Sequence, residues 1–204
     1  MTLSISVTLC LRTSYPGLKQ NRIFASGQIS HEKSSEALIR LFELLRHSGI
    51  ETCYAGSATT WGDKTSALGQ DFHSPERSKD RFRLQQDLED VTDVFLGDVT
   101  QATAARYSNS AWYHVHVAHH DCSCQNQQEA ALGGAVLWGL THPLSAERPV
   151  FWESSVEALS ESILSYQQTF DAAQHSQEVY DFAMANWSYD AFEAQFKRIV
   201  GGNL

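Results

Sequence analysis

The chain has 204 residues, enough for one domain with a substantial core, and 42% of them are apolar with only four prolines and twelve glycines, which excludes a disordered or low-complexity protein. Its formal charge of −9 and the lack of any Lys/Arg cluster exclude a nucleic-acid-binding or membrane-surface protein. No apolar run reaches the roughly 18 residues of a membrane helix, and the first residues lack the basic start and small-residue cleavage site of a signal peptide, so a cytoplasmic location is expected.

In chain order, residues 3 to 11 alternate, with Leu3, Ile5, Val7, Leu9 and Leu11 on one side, the period of a half-buried strand. "RIFAS" then leads into Gly27, and Leu38, Leu41, Phe42 and Leu45 repeat at helical spacing up to Gly49. "IETCYA" reads as a second buried strand, followed by a Gly/Ser/Thr-rich loop that holds Trp61. Ser74-Pro75-Glu76 is a helix start, with a cap, a proline at the first position and an acid in the first turn. That helix runs to about Thr92 and is followed by "DVFLGDV", a compact strand ending in Asp98.

Past an irregular segment, an apolar helix rich in alanine and glycine, "EAALGGAVLWGL", is expected from about Gln127. "RPVFWE" is a further strand, "SSVEALSESILSYQQTF" a further helix, and residues 176 to 199 a C-terminal helix or pair. Strands alternating with helices predict an α/β fold: a mostly parallel, Rossmann-like (flavodoxin-like) sheet covered on both faces, with an extra N-terminal strand and C-terminal helices. One domain, 1–204, is expected, made of an N-terminal strand extension (1–20), a core (21–173) with an insertion at 100–127, and a C-terminal helical extension (174–204).

Ligands of such sheets sit beyond the carboxyl ends of the strands, which directs attention to residues 26–30, 56–62, Asp98 and the start of the helix bearing Glu129. Gly27 in "FASGQIS" would let backbone amides approach a phosphate or sugar, though a plain tight turn explains it equally. Glu129 has no other ionisable group in its helix; it suits either an ordinary role at a helix start or a carboxylate aimed at a sugar carbon. Asp87 sits near the buried flank of its helix, while its acidic neighbours read as solvated surface. The run "YHVHVAHHDCSCQ" offers His114, His116, His119, His120, Cys122 and Cys124, but H-x-H and C-x-C are not familiar zinc spacings, so no metal is expected. Cys10 and Cys53 lie in apolar runs as buried free thiols.

Three stretches together resemble the nucleoside 2-deoxyribosyltransferase superfamily, nearest its nucleotide N-glycosidase branch, which acts on CMP, hydroxymethyl-CMP or deoxynucleoside monophosphates. They are "RIFASGQIS", "TTWGDKTSALGQDFHSPERSKDRFRLQQDLEDVTDVFLGDVTQ" and "NQQEAALGGAVLWGL". The resemblance implies a hydrolase of nucleotide metabolism that cleaves the N-glycosidic bond of a nucleoside 5'-monophosphate, or alternatively a deoxyribosyltransferase or an inactive nucleotide-binding or protein-interaction module of that fold. Glu129 would be the catalytic carboxylate at the anomeric carbon and Asp87 its partner acid. Ser26, Gly27, Gln28, Ile29, Trp61 and Asp98 would bind substrate. No cofactor is implied, the partner is a small nucleotide or nucleoside rather than nucleic acid or membrane, and a homodimer is expected.

Overall fold

The computed structural model describes residues 18–58, 75–118, 125–140, 150–169 and 171–201. The alternating segment 3–11, Trp61, His119, His120, Cys10, Cys122 and Cys124 lie outside the described residues.

Strand β1 (Gln20–Ser26) leads through a short helical turn at His31–Lys33 into α1 (Ser35–Leu45), and β2 (Glu51–Ala55) is followed by α2 (Pro75–Val91). Next come β3 (Val94–Phe95), α3 (Gln101–Ser110), β4 (Ala111–His116), α4 (Gln125–Leu132), β5 (Val136–Leu140), β6 (Val150–Glu153), α5 (Val156–Thr169), α6 (Ala172–Trp187) and α7 (Tyr189–Gly201). The strands form one sheet in the order β3-β2-β1-β4-β5-β6. Every pairing is parallel. Among Rossmann-like sheets this is the order in which two mononucleotide-binding halves meet at β1 and β4, where the direction of winding reverses.

Strand periodicity explains how both faces are filled. Ile23, Tyr54, Val115 and Trp138 point to the side that α1, α2 and α5 cover with Phe42, Leu88 and Ile163. On the opposite face Phe24 and Cys53 meet Ala104 and Tyr107 of α3, and Leu137 meets Ala130 of α4 and Val179 of α6. Burial pushes the Cys53 thiol up to about 12, so it packs as an apolar group. The two C-terminal helices are both present, with α7 packed against α6.

Two expectations are corrected. The segment 100–127 is expected as an insertion, but its described residues, 100–118 and 125–127, carry α3, the central strand β4 and the start of α4. The strand is hidden in the sequence because His114 and His116 occupy one of its faces, so "AWYHVH" lacks the apolar run expected of a buried parallel strand. The helix expected across "EAALGGAVLWGL" stops at Leu132. Gly134, at φ 69°, takes the left-handed conformation that ends it, and the Ala135 amide donates back to the Ala130 carbonyl at 2.9 Å. The next residues, Val136–Leu140, form β5, buried at every position.

Lys19, just before β1, donates to the Ala111 carbonyl at 2.9 Å. Burial lowers its ammonium to about 7. The unfolded chain holds that proton up to the usual lysine range, so between pH 7 and 10 unfolding takes up a proton and the stability contribution rises with pH. We predict that urea midpoints of the wild type climb from pH 6.5 to pH 9.5 relative to those of Lys19→Met. Parallel pH profiles for the two proteins would contradict this.

Candidate functional site

Three glycines shape the carboxyl edge of the sheet. Gly27, Gly56 and Gly97 follow β1, β2 and β3 with φ of 148°, 148° and 64°. Each turn is hung on its neighbour: the Gly27 amide donates to the Ala55 carbonyl at 3.0 Å, and the Gly56 amide to the Gly97 carbonyl at 2.8 Å. The Tyr54 hydroxyl donates to the Gly27 carbonyl at 2.9 Å, and burial holds that phenol in its protonated, donating form. A Cβ on Gly56 would lie 1.8 Å from the same carbonyl oxygen, so β1 and β2 approach this closely only because residue 56 has no side chain.

Beyond these turns, between the ends of β1 and β4, lies a cavity of about 250 Å³. Ser26, Gly27, Gln28, Lys33, His116 and Asn126 supply its polar lining. The first turn of α4 is fastened over it, because the Asn126 amide group donates to the Ser26 carbonyl at 2.9 Å. On the other flank Ser30 accepts from the Lys33 amide at 3.3 Å and donates its own amide to the Ser35 hydroxyl at 3.0 Å, fixing the turn that carries Lys33. No carboxylate lines the cavity among the described residues. A lining of lysine, amides and hydroxyls suits an anionic, oxygen-rich ligand, and a helix start adds to that preference.

Of the residues expected to bind substrate, Ser26, Gly27 and Gln28 line this cavity. Ile29 does not; it is fully buried in the core, its amide donating to the Ser57 carbonyl at 3.1 Å. Asp98 is an exposed residue after β3 and no part of the lining. Sequence reading misses Lys33, His116 and Asn126. A signal for His116 exists, since it closes a strand, but the polar residues of that strand read as loop.

Asp87 and Glu129 are not brought together. Asp87 is exposed on α2, on the α1/α5 side of the sheet, 4.0 Å from Arg83. Glu129 is half-buried on α4, on the opposite side with α3 and α6. Its carboxyl is raised above the usual range by burial, an effect opposed by a hydrogen bond from the Gln101 side chain. The last aspartate of the "DLEDVTDVF" stretch, Asp93, serves the fold. Its carboxylate accepts from the Thr52 amide at 2.8 Å and the Thr52 hydroxyl at 2.9 Å, tying the entry of β3 to β2. His114 and His116 stand two apart on β4, and no group of three or more metal-ligating side chains occurs among the described residues.

No family model and no curated protein sequence matches the chain. Solved structures do. The Anabaena protein HepE, in complex with UDP and glucose, is similar at 12% identity with a TM-score of 0.64, over 90% of this chain and 49% of that one. Sucrose-phosphate synthase from Thermosynechococcus elongatus is similar at 16% identity and TM-score 0.63, over 89% and 45%. The pneumococcal O-GlcNAc transferase GtfA, in complex with UDP and GlcNAc, gives 13% and 0.63, over 91% and 36%. The chain spans less than half the length of each.

These likenesses define the class of fold, a Rossmann-like unit of the kind found in glycosyltransferases, and they correct the kinship expected from the sequence. The matching structures are glycosyltransferases rather than nucleoside 2-deoxyribosyltransferases. With that kinship go the assignments that rested on it: a hydrolase of nucleotide metabolism, N-glycosidic cleavage of a nucleotide, and deoxyribosyl transfer. The motifs that suggested them are generic to parallel α/β sheets. A strand, glycine and helix start recur wherever a nucleotide phosphate is approached, and the aspartate before "VF" here holds two strands together.

Among the described residues, no helix is long and apolar enough to cross a membrane.

Proposed function

We propose that this chain is the donor-binding unit of a glycosyltransferase, holding a nucleoside diphosphate sugar at the carboxyl edge of β1 and β4. The observation that carries the reading is the cavity itself: it lies at the switch point of the sheet and is lined by Lys33, Gln28, Asn126 and the Gly27 turn, with no carboxylate among the described lining residues. Such a lining would attract a diphosphate and repel nothing on it. The fold supports the same reading, since HepE and the pneumococcal transferase were both solved with UDP.

In glycosyl transfer the bond between the anomeric carbon and the diphosphate oxygen breaks as an acceptor hydroxyl attacks and gives up its proton. The departing diphosphate gains negative charge, and this chain would stabilise that charge with Lys33, the side-chain amide of Gln28 and the start of α4. Acceptor binding falls to residues outside this cavity, in keeping with a chain that spans less than half of the proteins it is similar to.

Calorimetric titration with UDP and UDP-glucose tests the proposal. The wild type is expected to bind both, Lys33→Ala to bind about tenfold more weakly, the loss of one charge-assisted contact of about 1.4 kcal/mol, and Asp87→Ala to bind as the wild type does. Failure to bind either compound, or ADP- and GDP-sugars tried beside them, would remove the donor-site reading.

A further inference from the structure

We infer that α7 is a self-association surface through which two copies of this chain pair antiparallel. Helix α7 packs on α6 and leaves three aromatic side chains in solvent, Tyr189 at 60%, Phe192 at 43% and Phe196 at 49% exposure. At 100° per residue these three fall within one narrow stripe, and the Phe192 and Phe196 rings stack at 6.2 Å. Met184, 40% exposed near the end of α6, adds to the same end of the molecule. Elsewhere the described residues expose only two large apolar side chains of this degree, Leu18 and Phe82, and these are isolated. Single exposed apolar residues are ordinary, whereas an ordered aromatic stripe on a terminal helix marks a contact.

Charge decides the occupant. Asp190 and Glu193 near the start of α7 and Lys197 toward its end share one flank of the stripe; Glu193 and Lys197 pair within the helix at 2.7 Å. Two copies crossing antiparallel about a two-fold axis would set the Asp190 carboxylate of each against the Lys197 ammonium of the other, and would lay Phe192 against Phe196. A parallel pairing about a two-fold axis would carry these flanks to opposite sides of the seam, where Asp190 and Lys197 of different copies could not meet. The helix is therefore complementary to its own reverse, and with a formal charge of −9 on each chain such local matching is what would overcome the general repulsion between copies.

Light scattering on the full chain, eluting from a sizing column across the micromolar range, tests the inference. The wild type is expected at twice the monomer mass and Phe192→Glu with Phe196→Glu at the monomer mass, with unchanged far-ultraviolet circular dichroism because neither ring is part of the core. Asp190→Lys should weaken association about tenfold, and the double change Asp190→Lys with Lys197→Asp should restore it. A wild-type monomer, a dimer indifferent to the phenylalanine changes, or a charge exchange that fails to rescue would each overturn the antiparallel α7 pairing. UDP binding by the monomeric variant, measured alongside, separates this inference from the donor-site reading.

Discussion

Gly56→Ala is expected to lose about 3 to 5 kcal/mol of folding stability, a large part of what a domain of this size possesses. Two effects add. The backbone at residue 56 sits at φ 148°, a conformation L side chains rarely adopt. The new Cβ would also fall 1.8 Å from the Gly27 carbonyl oxygen and 3.1 Å from the Tyr54 hydroxyl. That carbonyl cannot simply yield, since it accepts from Tyr54, while the amide of the same residue donates to Ala55. Gly27→Ala is the matched control. It has the same φ, but its Cβ would meet nothing within 4 Å, so it should cost only the backbone strain of about 1 to 2 kcal/mol. Urea unfolding of the two variants measures the difference, which is the clash alone. The same pair reads the cavity: Gly56→Ala is expected to weaken UDP binding by shifting the Gly27 turn. Equal stability of the two variants would show that the β1 and β2 turns are not locked as described.

Much of the fold is legible in the sequence because it rests on local signals. The strand, glycine and helix from "RIFASG" to Leu45, the Pro75 helix start and the serine-led α5 follow from periodicity and capping, and the structure has all of them. Both failures occur where a local signal is ambiguous. β4 has tyrosine and valine on one side and histidine on the other, so an apolar scale sees a polar loop where the sheet has a central strand. At Gly133-Gly134, no periodicity distinguishes a helix continuing through "AVLWGL" from one that stops and hands over to a strand buried on both faces.

Losing β4 has a consequence for the site. With β4 read as loop the switch point is invisible, and the resemblance joins Asp87 and Glu129 in one pocket although they stand on opposite sides of the sheet. The part of the site that sequence does find, Ser26 to Gln28, is the part defined by a glycine at a strand end. Asn126 belongs to it only through the crossover that brings α4 beside β1, which is tertiary information, whereas Lys33 sits in the turn that follows β1.

The second large effect comes from the histidine that disguises β4. His114→Leu should stabilise the protein in acid by about 3 kcal/mol near pH 4 while changing little at pH 8. The ring is buried against Phe24, with centroids 6.1 Å apart, and neither ring nitrogen has a hydrogen-bond partner among the described residues. Burial, with a smaller contribution from the neighbouring His116, lowers its imidazole to about 3. In the unfolded chain it titrates near 6.5. Between those values the unfolded state binds a proton that the folded state refuses, so stability falls as pH drops through 6.5 and continues to fall toward 3. Leucine fills a similar volume, leaves no polar atom to desolvate and removes that proton from the balance. Glu129 acts in the opposite direction, because a carboxyl raised by burial favours folding as the pH falls. Its contribution is common to both proteins, so the difference between their urea midpoints at pH 4, 5, 6 and 8 isolates His114. A difference that grows steadily below pH 6.5 is the expected result; a constant one would mean that the imidazole takes up its proton in the folded chain, and hence that a polar partner lies within its reach.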